Sequence, residues 1–251
     1  MDKDCKISPE NPYWDLIQEA YSVFRVPIPQ DLEVCNMCCM PDEQQDVMKQ
    51  YVSQNIPLHL VREWYSAATN YPVSQNLWLY ILPRTLEILA IGENPTHSLE
   101  IALSRYPAGE RKNWNEAQWQ VLDTFQKKFI QTDMSSYSSS SGHHTLDEKL
   151  CMFSSSGWNN DDLFDQVYNL PIQKLIEILY KDWVSDTSYP HIWVTSFWKN
   201  PEETELKWSA KILRDRLFDY GMAADSPKHL SDQALDLVDV ISMYKNDWDN
   251  N

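Results

Sequence analysis

The chain has 251 residues and a formal net charge of −16, with 37 Asp and Glu against 21 Lys and Arg. A surface this acidic repels nucleic acid and anionic membranes and attracts cations, so we expect a basic protein partner, with no nucleic-acid or membrane partner. The chain holds only 5 Gly and lacks the glycine-rich phosphate loops, the nucleophile elbow and the zinc-protease motif. We therefore predict a protein that is not an enzyme and needs no cofactor.

Apolar side chains recur at helical intervals near the start of the chain, at Trp14, Ile17, Tyr21 and Phe24. This spacing predicts an amphipathic helix. Prolines at 41 and 57 indicate the starts of two further helices, because proline is tolerated in the first helical turn.

The stretch 76–92 is the most apolar of its length, and it predicts a buried central helix. Its only charged residues, Arg84 and Glu87, lie three positions apart and can pair on a helix. We assign a structural role to this pair and to Trp78. Pro83 either kinks this helix or starts it.

Beyond the central stretch, Asn113 followed by Glu116 resembles a capping box that opens another helix. A Ser-rich segment then predicts a flexible loop at 132–145 inside a single helical domain, 1–251. The alternative is two helical halves, 1–131 and 146–251, joined by that segment.

The second half of the chain contains two groups of acidic residues, which we predict to form the binding surface for a basic partner. Asn200-Pro201 predicts the start of a helix that runs to Gly221, and the last helix is expected to begin near Ser226 or Ser231. Residues 189–198 are β-branched and aromatic, so a strand is possible there.

The predicted partner-binding residues lie on the polar face of the last helix and at an earlier acidic helix start: Asp232, Asp236, Asp239, Asp161, Asp162 and Asp165.

These patterns together predict an all-α fold, either a multi-helix bundle or a short array of helical hairpins around the buried central helix.

The cysteine cluster is the one group of residues whose side chains suggest metal binding or redox chemistry. Cys35 and Cys38 form a C-x-x-C pair that could hold zinc or act as a redox pair, but a zinc site needs more ligands than this. We predict no metal and interpret the cluster as small packed side chains. An odd total of 5 Cys, with no apolar signal segment, favours a reduced, cytoplasmic protein.

The order of several landmarks resembles a family of uncharacterised bacterial proteins, across 27–200. The landmarks are Pro27-Ile-Pro29 before Cys35 and Cys38, the Leu-Pro-Arg-x-Leu-Glu run at 82–87, Trp114 with Trp119, and an apolar helix ending at Trp183. The resemblance implies a bacterial, cytoplasmic, single-domain protein. It supplies no established activity and no catalytic residue.

The leading hypothesis is a non-enzymatic acidic binding protein, most concretely an immunity-type inhibitor of a cationic bacterial toxin. Its abundant Trp and Tyr suit binding hot spots. The alternatives are a helical adaptor, a thiol- or zinc-dependent protein centred on Cys35 and Cys38, and a helical enzyme without a recognised motif.

Overall fold

The computed structural model describes residues 6–37, 39–69, 71–132, 144–185 and 187–249, with backbone only from 245 onward. These residues form an all-helical fold, so the predicted fold class is confirmed. The described residues form no β-strand, and their β pairing consists of one isolated antiparallel bridge between Val34 and Thr69. None of the described helices is both long enough and apolar enough to cross a membrane.

The chain folds as two compact units. Unit 1 contains Met1–His144 and Ser155–Trp158, and unit 2 contains Thr145–Ser154 and Asn159–Asn251. Whether these units behave as one domain or two stays a prediction. Most of the predicted Ser-rich loop, 133–143, lies outside the described residues.

Unit 1 is built around one buried helix. Its helices are α1 (Trp14–Val23), α2 (Asp42–Met48), α3 (Leu58–Ser66), α4 (Gln75–Ala90) and α5 (Glu116–Gln131). Helix α4 buries 13 of its 16 residues, and α1 and α3 pack against it. The predicted buried central helix is therefore confirmed, and Pro83 lies inside it rather than at its start. The Ser74 hydroxyl caps α4 by accepting a hydrogen bond from the Leu77 amide.

The capping box of α5 lies two residues later than the sequence predicted. Asn113 ends a 3₁₀ turn, and the reciprocal hydrogen bonds join Asn115 and Gln118 instead, at 3.0 and 3.2 Å. Both pairs have the spacing of a capping box, and the sequence alone does not choose between them.

Unit 2 is a second helical cluster. Its helices are α6 (Leu146–Ser155), α7 (Asn160–Tyr168), α8 (Ile172–Tyr180), α9 (Pro201–Trp208), α10 (Lys211–Met222) and α11 (Lys228–Asp249). The single helix expected from Pro201 to Gly221 is wrong. It breaks because Ala210 is extended (φ −60°, ψ 140°), while the Ser209 hydroxyl donates to the Glu205 carbonyl.

Helices α10 and α11 form a close hairpin. The Ser231 hydroxyl donates to the Gly221 carbonyl, and a Cβ at Gly221 would lie 2.8 Å from the Leu235 side chain. Helix α8 packs against both members of this hairpin. Each member therefore buries one side and exposes the other.

Candidate functional site

The acidic residues predicted on the last helix lie on one exposed stripe of α11. Asp232, Asp236, Asp239 and Met243 are spaced by four, three and four residues, which places them on the same face of a helix. All four are exposed, and Met243 keeps 49% of its accessible surface. The opposite stripe is buried and consists of Leu230, Ala234, Leu237 and Ile241.

Helix α10 adds two exposed apolar side chains beside this stripe. Phe218 and Met222, one turn apart, are 47% and 63% exposed, and Asp219 is exposed between them. The two helices touch at Gly221 and Leu235, and the helical positions of their exposed stripes put both stripes on the outer side of the hairpin. We call this surface the acidic hairpin face: Phe218, Met222, Asp232, Asp236, Asp239 and Met243.

The carboxylates of the acidic hairpin face are not neutralised. Its three Asp form no ion pair or side-chain hydrogen bond with any described residue, and the sequence of α11 has no Lys or Arg between Lys228 and Lys245. Of the three cations of α10, Lys211 and Arg214 lie 3.9 and 3.2 Å from Asp215, and Arg216 donates to the carbonyls of Tyr168 and Leu170. The face therefore carries a local negative potential that attracts cations.

The second predicted acidic group opens α7, as the sequence indicated. Asn159 caps this helix, its side-chain oxygen accepting from the amides of Asp161 and Asp162 at 2.8 and 3.2 Å. Asp162 and Asp165 are exposed, but Asp161 pairs with Lys207. Helix α11 packs chiefly on α8 and α10. We therefore treat the α7 acids as a separate patch.

The cysteine cluster is only partly described. Cys35 and Cys39 are half-buried, and the Cys35 amide donates to the Ala68 carbonyl at 2.9 Å. Cys38 lies outside the described residues. Across the part of the chain that the structure describes, no three His, Cys, Asp or Glu side chains converge to hold a metal. The thiol or zinc alternative stays a prediction.

The three residues assigned a structural role lie in the core of unit 1. Trp78 is fully buried, and Arg84 and Glu87 retain 1% and 3% of their accessible surface. Arg84 donates from Nη1 to Glu87 and from Nε to the Ile56 carbonyl, the latter at 2.9 Å. This pair joins α4 to the segment that precedes α3.

Glu87 also joins α4 to the start of the chain. It accepts hydrogen bonds from the Tyr21 hydroxyl at 2.5 Å and from the Ile7 amide at 3.0 Å. Burial, together with the negative charge of Glu87, raises the pKa of Tyr21 well above its ordinary value. Tyr21 therefore stays a hydrogen-bond donor.

Sequence reasoning missed a buried carboxylate in unit 2. Asp147 is 2% exposed and accepts hydrogen bonds from the Thr195 amide at 2.8 Å, the Trp198 indole at 3.0 Å and the Trp208 indole at 2.7 Å. Burial raises its pKa to about 6, although each of these hydrogen bonds opposes the rise. No sequence motif predicts that Asp147 is buried, because the residues that donate hydrogen bonds to it lie 48 to 61 positions further along the chain.

The same contacts explain why the strand considered for 189–198 does not form. That segment is irregular, and the Thr195 amide, which a strand would offer to a neighbour, is used by the Asp147 side chain. Asp147 thus anchors an irregular segment and α9 to the start of α6.

No family model matches the chain, and no curated protein or solved structure matches it either. The bacterial origin that the sequence resemblance implied stays a prediction. What the protein does is therefore inferred from its residues and their geometry.

Proposed function

We propose that this is a non-enzymatic binding protein whose acidic hairpin face engages a basic protein. One observation carries the proposal: unneutralised carboxylates on α11 and exposed apolar side chains on α10 lie on the exposed stripes of two helices that pack together as a hairpin. Exposed apolar side chains rimmed by polar residues are typical of protein interaction sites.

The two kinds of side chain contribute differently to binding. The carboxylates attract Lys and Arg over a distance and raise the association rate. Phe218, Met222 and Met243 provide apolar area that is buried on contact, and aromatic and Met side chains are enriched in interfaces. These buried contacts set the dissociation rate. A complementary partner presents Lys or Arg around an apolar patch or pocket.

The most concrete version is an immunity-type inhibitor that neutralises a cationic bacterial toxin in the cytoplasm. An inhibitor of this kind gains from fast, electrostatically steered association with its target. A helical adaptor would use the same face, and the identity of the partner separates these two versions.

Affinity capture from the native host tests the proposal. The wild-type chain should recover a basic protein at low salt. The charge-reversed variant Asp232→Lys/Asp236→Lys/Asp239→Lys should lose that protein, because all three side chains are exposed and their replacement leaves the core of unit 2 intact.

A matched variant controls for overall charge. Asp15→Lys/Glu19→Lys/Glu43→Lys makes the same change in net charge at exposed positions of unit 1. It should still recover the basic protein. Equal loss in both variants would show that total charge, and not the acidic hairpin face, governs capture.

A further inference from the structure

Unit 1 contains a cleft of about 450 Å³ between the end of α1 and the 3₁₀ turn Ser53–Asn55, with Pro83 of α4 also lining it. This volume lies within the range of small-molecule sites, roughly 300–1,000 Å³. We propose that the cleft binds a small organic anion, a carboxylate or phosphate group carried on an apolar body. The acidic hairpin face belongs to unit 2, so this proposal does not depend on it.

The charge of the cleft is opposite to that of the protein. Among the described residues that line it, Arg25 is the only charged one, in a chain of net charge −16. The Arg25 side chain is exposed and forms no ion pair or hydrogen bond with any described residue. A planar guanidinium presents paired donors that match a carboxylate or phosphate, and here no protein carboxylate occupies them.

The opposite wall of the cleft offers a buried hydroxyl that lacks a hydrogen bond. The Ser53 Oγ is shielded from solvent and has no partner among the described residues. A buried polar atom without a partner is unfavourable. Rotation of the Ser53 side chain about χ1 would turn this hydroxyl into the cleft, where it would donate to an oxygen of a bound anion. The side chains of Gln18 and Gln54 supply further amide donors at the rim.

The lining also contains four apolar side chains. Phe24 and Val26 of the α1 side, Val52 of the facing turn, and Pro83 contribute carbon surface to the cleft. Apolar surface beside several placed polar groups suits a ligand that has both an apolar body and a polar head. This arrangement favours an anion with an apolar body over inorganic phosphate.

Both walls are fixed to α4 before any ligand binds. Tyr21, which lines the cleft, donates to Glu87, and Arg84 holds the Ile56 carbonyl at the end of the turn. A site whose walls are already in place loses less conformational entropy on binding.

The test is an NMR titration of the full chain with four probes that share a phenyl ring: benzoate, phenyl phosphate, benzyl alcohol and benzylammonium. We expect the two anions to shift the cleft resonances saturably and the neutral and cationic probes to bind much more weakly. The tighter of the two anions identifies the preferred acid group.

Variants assign the binding to the cleft. Arg25→Gln should weaken anion binding about tenfold or more, because it removes a charge-assisted hydrogen bond. Ser53→Ala should weaken it by a smaller factor. Lys112→Gln removes one exposed positive charge elsewhere in unit 1 and should change nothing. Equal binding of benzyl alcohol and benzoate, or anion affinity unchanged in Arg25→Gln, would overturn the proposal, as would absence of saturable binding.

Discussion

Arg84 donates a hydrogen bond to Glu87 one turn further along α4, and both side chains are almost wholly buried. The pair lies in the most apolar helix of the chain. Glu87 also accepts from Tyr21 of α1, so one carboxylate joins two elements. A buried pair of this kind is costly to break, since the remaining charge has no solvent to stabilise it.

We therefore expect Glu87→Leu to lower the free energy of unfolding by about 3–5 kcal/mol. The double variant Arg84→Met/Glu87→Leu should be more stable than Glu87→Leu alone, because it leaves no buried charge unpaired. Urea denaturation of the four members of this cycle measures both effects. As a control, Asp123→Ala breaks the exposed pair with Lys127 and should cost at most about 1 kcal/mol. A double variant less stable than Glu87→Leu would contradict the interpretation.

The buried carboxylate of Asp147 should make stability depend on pH. Its pKa is about 6 in the folded chain against an ordinary value of 3.8, so the folded state binds more protons between these values. The contribution of Asp147 to stability is therefore complete below about pH 4, falls as pH rises towards 6, and is level above that, a change of about 3 kcal/mol.

The comparison with Asp147→Asn isolates this contribution. The difference in unfolding free energy between wild type and Asp147→Asn, measured from pH 4 to pH 7, should shift in favour of the variant as pH rises. A difference independent of pH would show that the pKa of Asp147 is not raised.

Two glycines should respond differently to an added methyl group. At Gly109 a Cβ would lie 2.2 Å from the backbone nitrogen of Trp158, so Gly109→Ala should cost about 3 kcal/mol. At Gly221 the nearest atoms belong to the movable Leu235 side chain, and alanine favours a helix by roughly 0.5–1 kcal/mol. Gly221→Ala should therefore be the milder change in thermal unfolding. The reverse order would contradict the packing at Gly109.

The cysteine cluster is predicted to be structural rather than metal-binding. Cys35→Ser/Cys38→Ser should keep most of the helical circular-dichroism signal, and elemental analysis of the wild-type protein should find no stoichiometric zinc. One zinc per chain, lost in the double variant, would establish the zinc alternative instead.

Periodicity was sufficient to predict two features of the fold and the site. The burial of α4 follows from apolar residues on nearly every side of the helix. The exposed stripe of Asp232, Asp236 and Asp239 follows from their spacing on a helix whose other face is apolar. Both are properties of one continuous segment.

Features that depend on distant contacts were not predictable in this way. Asp147 resembles any acidic residue in a first helical turn, and only the fold brings Trp198 and Trp208 to it. The exposure of Phe218 and Met222 was missed because their apolar character indicates burial, whereas the hairpin buries the neighbouring Leu213 and Leu217 instead.

The most direct test of the proposed function is the association rate of the captured basic protein as a function of salt. We expect the rate constant to fall steeply between low and physiological ionic strength, because salt screens charges over a Debye length of ~8 Å at physiological strength. Asp232→Lys/Asp236→Lys/Asp239→Lys should associate slowly even at low salt, and the Asp15→Lys/Glu19→Lys/Glu43→Lys control should behave like wild type. An association rate that is indifferent to salt, or a partner that is itself acidic, would contradict the electrostatic account.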